Sequence, residues 1–306
     1  MPALIQPLFD GPIDLVGDVH GEIDALRSLL GHLGYDAVGK HPERRLVFLG
    51  DLTDRGPDSP AVVRFVQEEV LAGRAQCVLG NHDFNLLLGH QKYDNNWFGG
   101  KEFSEDGYLV PQVLADRATR KQIRTFLGTL PLALERPDVR VVHACWHAPS
   151  IDLARTEQNA VDLYNRYLSR IKADHVARHV EDEVELSLDH QNRNPVKLLT
   201  SGPERRIENP ITVAGKPRYQ DRVRWWDDYR EPPLCVFGHY ALRHGQPRGN
   251  GQAFCLDYGV AYRWKERLTA VARFETRLAA FRIPEHVIVF DDGSTDRLPE
   301  FVRGTS

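Results

Sequence analysis

Three short segments share one layout: Gly17-Asp18-Val19-His20-Gly21, Gly50-Asp51-Leu52-Thr53-Asp54-Arg55-Gly56 and Gly80-Asn81-His82-Asp83. Each follows an apolar run: Ile13 to Val16, Leu46 to Leu49 and Cys77 to Leu79. Each run ends in glycine and then a side chain able to bind a metal ion. Val141-Val142-His143 and Val236-Phe237-Gly238-His239 repeat the layout. Five strand ends of this kind bring Asp18, His20, Asp51, Asn81, His143 and His239 to one sheet edge. A set of oxygen and imidazole donors, with no thiolate, suits Mn, Fe or Zn better than Ca. Two such ions about 3.5–4 Å apart can clamp a phosphoryl group and activate a bridging water. The chemistry implied is hydrolysis of a phosphate ester or anhydride, with a bridging hydroxide as nucleophile.

The spacing also suggests a division of labour. Asp18 and His20 sit two apart at one strand end, so both can face the same ion. One ligand must bridge the ions, and the two carboxylate oxygens of Asp51 suit that role. Asn81, His143 and His239 are then left for the second ion. His82 follows Asn81 directly and points elsewhere, which suits a general acid for the leaving group. Such a histidine needs a partner to fix its ring and its proton, and Asp54 is the candidate. Arg55 offers a planar fork for phosphate oxygens. His32, His41, His90, His175 and His244 read as surface or packing residues, and His147 as a loop residue.

The elements that must position these groups alternate clearly in the first third of the chain. Strands at 13–17, 46–50 and 76–80 lead into helices at about 22–33, 58–72 and 82–91. Ile23, Leu26, Leu29, Leu30 and Leu33 fall at helical spacing in the first of these. A β-α-β-α-β-α run predicts a parallel sheet, whose ligands gather beyond the carboxyl ends of the strands. Residues 92–111, with Trp97 and Phe98 among glycines and asparagines, read as a loop over the site. A helix is predicted at about 112–128, and a hairpin from Leu132 to Ala144. Residues 157–180 have a helical pattern, and Glu181 to Glu185 read as a solvated face. The segment 191–221, rich in Pro, Gly, Asn and Arg, reads as an inserted loop or cap. Strands are predicted again at 234–238, 253–257, 268–274 and 286–290.

The 306 residues could hold one large domain or two ordinary ones, but the motifs run from Asp18 to His239. We therefore expect one domain over 1–306, with an insertion at about 150–233. The net charge of -4 argues against a general nucleic-acid binder but leaves room for a local basic pocket. No apolar run approaches a membrane span of roughly 20 residues, so no membrane association is expected. Met1 to Asp10 show no leader pattern. Cys77, Cys145, Cys235 and Cys255 lie in apolar runs without CxxC spacing, which suits buried thiols in a reducing, cytoplasmic setting.

These motifs resemble those of the calcineurin-like metallophosphoesterases, and within them the phosphoprotein phosphatase superfamily: GDxHG, GDxxDRG and GNH[ED]. All three stand complete here. The resemblance continues through Val142-His143-Ala144 and Phe237-Gly238-His239 to Leu256-Asp257-Tyr258-Gly259. A strand from Arg267 to Phe274 would follow, and the middle of the chain matches poorly. The resemblance implies an α/β fold, a four-layer α/β/β/α sandwich with two divalent ions, first of all Mn, between its sheets. It also implies the ligand set named above, with His82 and Asp54 as acid and orienting pair and Arg55 as a phosphate arginine.

Two branches compete within the superfamily. Asp83 resembles the bacterial diadenosine-tetraphosphate hydrolases. Asp54-Arg55-Gly56 resembles the protein phosphatases and the PrpE-type enzymes, and Trp225 to Tyr229 the PrpE type. A second phosphate arginine is expected before His239; Arg222 and Arg224 are candidates, and Arg205 and Arg206 equally so. The leading expectation is a phosphatase acting on phosphoserine or phosphothreonine proteins, the alternative a bis(5'-nucleosyl)-tetraphosphatase. The partner is then a phosphorylated protein or a phosphorylated small molecule such as a nucleotide. A non-catalytic scaffold would need losses among the ligands or the acid, and every one is present. The segment from His147 to Pro233 is expected to lie by the metal edge and set substrate choice.

Overall fold

The computed structural model describes residues 3–105, 107–213, 216–242, 248–269 and 271–297. His244, expected at the surface or in packing, lies outside them. The first half of the chain runs β1 (Ile5–Pro7), β2 (Ile13–Val16), α1 (Ile23–Leu33), β3 (Arg45–Phe48), α2 (Ser59–Leu71), β4 (Ala75–Cys77) and α3 (Asn81–Leu88). A 3₁₀ segment at Tyr93–Gly99 leads to the small hairpin β5 (Phe103–Glu105) and β6 (Tyr108–Val110), then α4 (Arg117–Leu127), β7 (Ala133–Glu135) and β8 (Val139–Val142). The segment between β8 and the next strand of the sheet folds as α5 (Ala148–Arg155), α6 (Ala160–Arg178), α7 (Glu183–Arg193), α8 (Pro195–Ser201) and the hairpin β9 (Glu204–Val213) and β10 (Lys216–Arg222). The chain returns in β11 (Leu234–Phe237), β12 (Ala253–Cys255), α9 (Arg263–Leu268), β13 (Ala279–Ile283), β14 (Val287–Phe290) and β15 (Thr295–Arg297).

Two sheets result. One has the order β1-β7-β8-β11-β12, the other β15-β14-β13-β2-β3-β4. β2, β3 and β4 run parallel, as do β8, β11 and β12. The period of two along each strand sorts side chains between two cores. Ile13, Leu15, Val47 and Leu49 face Val139, Val141, Val236 and Phe254 between the sheets. The alternate residues point outwards. Leu46 and Phe48 pack with Leu26, Leu29, Val62 and Val66 of α1 and α2, and Phe237 joins Leu163 and Leu199 of α6 and α8. The layers are therefore helix, sheet, sheet, helix: the α/β/β/α sandwich. Each fully buried leucine on α1 contributes about 2 kcal/mol of apolar burial.

Local signals explain most helix ends. Asp58 caps α2, accepting from the Ala61 amide at 2.8 Å, with Pro60 in the first turn. Asp116 caps α4 by accepting from Thr119 at 2.7 Å, so that helix starts at Arg117 rather than near 112. Asn159 and Asp182 cap α6 and α7 in the same way.

Among the described residues of 268–274 the predicted strand is not formed. Arg267 and Leu268 end α9, and the Glu266 carboxylate accepts from the amides of Glu275 and Thr276 at 2.7 and 3.1 Å. Those amides follow the predicted span and tie the chain back to α9, and the strand beside β2 is β13, further along. The segment 191–221 is also more ordered than a loop. It completes α7, forms α8 and then runs through β9 into β10.

Candidate metal centre

The carboxyl ends of β2, β3 and β4 meet those of β8 and β11 across the sandwich. Backbone bonds tie the loops together. The His20 amide donates to the Asp51 carbonyl at 2.8 Å, Gly56 donates to the His20 carbonyl at 2.9 Å, and Gly238 donates to the His143 carbonyl at 2.8 Å. The turns are tight enough to place three of the candidate ligands at positive φ: His20 at 46°, Asp51 at 48° and His239 at 70°. Such backbone costs of order 1–3 kcal/mol per residue and persists only where its surroundings fix it. Two glycines allow the close approach. A Cβ on Gly80 would lie 2.2 Å from Asp51 Oδ1, and one on Gly238 would lie 1.9 Å from Asp18 Oδ1.

The structure brings Asp18, His20, Asp51, Asn81, His143 and His239 into one cluster, and Asp51 lies at its centre. Its Oδ2 is 3.6 Å from His20 Nε2 and 3.3 Å from His143 Nε2. Ligand-capable atoms of Asp51, His20 and His82 converge in one group and those of Asp51, His143 and His239 in a second, with Asp18 in neither. The histidine rings are preset. Nδ1 of His20 donates to the Thr53 carbonyl at 3.0 Å, and Nδ1 of His143 donates to the Leu49 carbonyl at 2.7 Å. Nε2 of each is thereby left to face the cluster, as a metal-binding imidazole requires.

Two further features fit divalent cations. Asp18 Oδ1 is buried without a hydrogen-bond partner among the described residues. The Asn81 amide oxygen lies 2.8 Å from His239 Nδ1 and 3.1 Å from His143 Nε2. Turning the amide over would let its NH₂ donate to both rings. With the oxygen inward it stands beside two imidazole nitrogens, a donor set that a cation can share. The donor set therefore fits two divalent ions.

The electrostatics are those of a crowded buried site. Burial and the nearby Asp257 carboxylate push the Asp18 carboxyl well above its usual range. Burial also opposes charge on Asp51, but His143, His82 and His20 outweigh it and hold Asp51 well below that range. Burial drives His20 and His239 down, towards the neutral imidazole a metal needs.

His82 sits beside the cluster and is held from behind. Its Nδ1 donates to Asp54 Oδ2 at 2.7 Å, and Trp97 Nε1 donates to the other Asp54 oxygen at 2.8 Å. Burial opposes protonation of His82, yet Asp51 and Asp54 raise its pKa overall. Arg55 reaches the same corner, where its Nε donates to Asp94 at 3.1 Å and its side chain remains 22% exposed. Sequence reasoning misses Trp97 and Asp94 as site residues, because 92–111 has no period and neither residue stands in a motif. Asp83 braces the loops: its carboxylate accepts from Thr53 Oγ1 at 2.9 Å and from the Leu52 amide, joining the second motif to the third.

The arginine candidates separate. Arg222 lines a cleft with Asn81 and His239 and donates to the His239 carbonyl at 3.1 Å. Arg224 is turned away and held by Asp227 at 2.9 and 3.1 Å. Arg206 pairs with Asp182 at 2.7 Å on the surface, and Arg205 is exposed on β9.

A profile described as calcineurin-like phosphoesterase matches residues 11–239, which include every candidate ligand. The chain belongs to that family. This phosphoesterase is therefore a metal-dependent hydrolase of phosphoric ester or anhydride bonds. It is 44% identical over 285 residues to a Bacillus velezensis protein named bis(5'-nucleosyl)-tetraphosphatase PrpE, asymmetrical, covering 92% of each chain. It is 30% identical over 294 residues to an Aeromonas salmonicida protein named bis(5'-nucleosyl)-tetraphosphatase, symmetrical, covering 89% of this chain and 97% of that one. The fold of the phosphoesterase also matches the crystal structure of a cold-active protein-tyrosine phosphatase from a Shewanella species. That match has a TM-score of 0.54 at 18% identity, over 98% of this chain and 83% of the other.

Proposed function

We propose that this phosphoesterase hydrolyses dinucleoside tetraphosphates, and that it cuts them asymmetrically. The observation carrying this reading is the 44% identity to the asymmetrical tetraphosphatase over 92% of both chains. An alignment that long must take in most of the insertion, and the insertion borders the cleft beside Asn81 and His239. Selectivity among phosphate compounds comes from such surrounding parts rather than from the metal edge. The preference drawn from the sequence thus reverses, with the tetraphosphate ahead of the phosphoprotein.

In this reading residues 1–306 act as one catalytic domain with 150–233 as its specificity insertion. Asp18, His20, Asp51, Asn81, His143 and His239 hold two divalent ions, with Mn²⁺ the first to test. When bound, the ions neutralise charge on the phosphoryl group and lower the pKa of water. Arg55 and Arg222 bind phosphoryl oxygens through charge-assisted forks. His82 keeps its Nδ1 proton on Asp54 and presents Nε2, from which a proton passes to the leaving oxygen. The described cysteines are all free and buried, which suits a reducing cytoplasm.

Product analysis tests the proposal. With Mn²⁺ and diadenosine tetraphosphate, asymmetric cleavage yields AMP and ATP. Two ADP would move the enzyme to the symmetrical class. Phosphate released from phosphopeptides, with the tetraphosphate untouched, would refute the reading.

A further inference from the structure

The insertion carries cations to the metal edge. A cleft of about 360 Å³ opens beside Asn81 and His239; its charged lining is Lys92, Lys197, Glu204, Arg218 and Arg222. Most of these charges are already engaged. Arg218 donates to Glu204 at 2.5 Å, and Arg222 donates to the His239 carbonyl at 3.1 Å. His90 and His190 share the wall, but burial lowers both, His190 to about 4, so neither adds charge at neutral pH.

Lys197 is different. Its Nζ donates to Ser201 Oγ at 3.1 Å, and among the described residues no carboxylate lies within ion-pair distance of it. Burial, with Lys92 and Arg218 adding repulsion against the pull of Glu204, brings its pKa down to about 8. The ammonium is still the main form at pH 7. Holding an unpaired ammonium in such a wall costs folding free energy, and a bound anion would relieve that cost. Ser201 accepts from Lys197 and keeps its hydroxyl hydrogen for an oxyanion, and the Gln220 amide, one of whose hydrogens goes to the Val184 carbonyl, stands in the same lining.

We infer that Lys197, flanked by Lys92 and Arg218, forms a subsite for phosphate groups beyond the one held at the metal edge. The subsite deepens the proposed function and rests on it for the identity of the substrate. A single phosphoester leaves this wall unused, whereas a polyphosphate chain running from the metal edge reaches it. None of these three residues stands in a motif, so no local pattern in the chain marks the subsite.

The experiment compares tripolyphosphate and orthophosphate as competitive inhibitors of p-nitrophenyl phosphate hydrolysis by the full chain, at fixed free Mn²⁺. Lys197→Gln should raise the inhibition constant of tripolyphosphate about tenfold more than that of orthophosphate, the worth of one charge-assisted contact. Lys197→Arg should restore most of the difference. Lys92→Gln, at an exposed position, should move the ratio the same way by a smaller factor. Equal changes for both inhibitors, or no change in any variant, would overturn the subsite. The readout needs no dinucleotide turnover. A wild type that leaves diadenosine tetraphosphate intact would therefore refute the proposed function while this test still stands.

Discussion

The proton on His82 depends on a relay of three side chains. Asp54 fixes the imidazole, and Trp97, itself fully buried, fixes Asp54. Replacing the indole by a smaller aromatic ring removes the N–H and keeps most of the packing around that last link. Trp97→Phe should lower kcat about tenfold, the worth of one hydrogen bond to a charged group, while metal content stays the same. The loss should be larger for an alkyl phosphate than for p-nitrophenyl phosphate, whose leaving group needs less help from an acid. Equal losses on the two substrates would show that Trp97 supports the fold and not the acid. The sequence points to Asp54 and His82 because each lies within a glycine-marked segment. Trp97 and Lys197 reach the site through tertiary packing, and nothing local marks them.

At the level of elements, tight turns and a buried charge cluster hold the strand ends. Gly238→Ala would drive a methyl group into the Asp18 carboxylate, so it should cost metal affinity and more than tenfold in activity. Metal analysis after gel filtration checks this; full occupancy would contradict it. On the other side of the sheet, Asp14 of β2 is fully buried and bonded to Arg44, Arg282 and Tyr35. Asp14→Ala leaves two guanidinium groups without their shared carboxylate and should destabilise the fold by about 3–5 kcal/mol in urea titration. A shift within about 1 kcal/mol, the range of an exposed pair, would contradict it. Elements with a clear period, such as α1 and α2, are legible in the sequence to within a residue or two. The strand expected at 268–274 is not, because Leu268 still belongs to α9 and Glu266 ties the chain just beyond the span through the Glu275 and Thr276 amides.

For the molecule as a whole, the sandwich follows from alternation within short strands, and the centre lies where two sets of parallel strands end. This much is readable because strand, glycine and ligand are adjacent in the chain. The inner structure of 191–221 is not, since α8 and the β9–β10 hairpin contribute through a cleft shared with α3 and the end of β11, far away in sequence. The central claim is that Asp51 joins two ion sites into one catalytic centre. Its most direct test is metal analysis of the chain, stripped and reloaded with Mn²⁺, alongside hydrolysis of diadenosine tetraphosphate. Wild type should hold two ions per chain and cleave the substrate. Asp51→Asn should lose metal at both sites and lose activity with it. An Asp51→Asn chain that keeps two ions and turns over the substrate would contradict the claim.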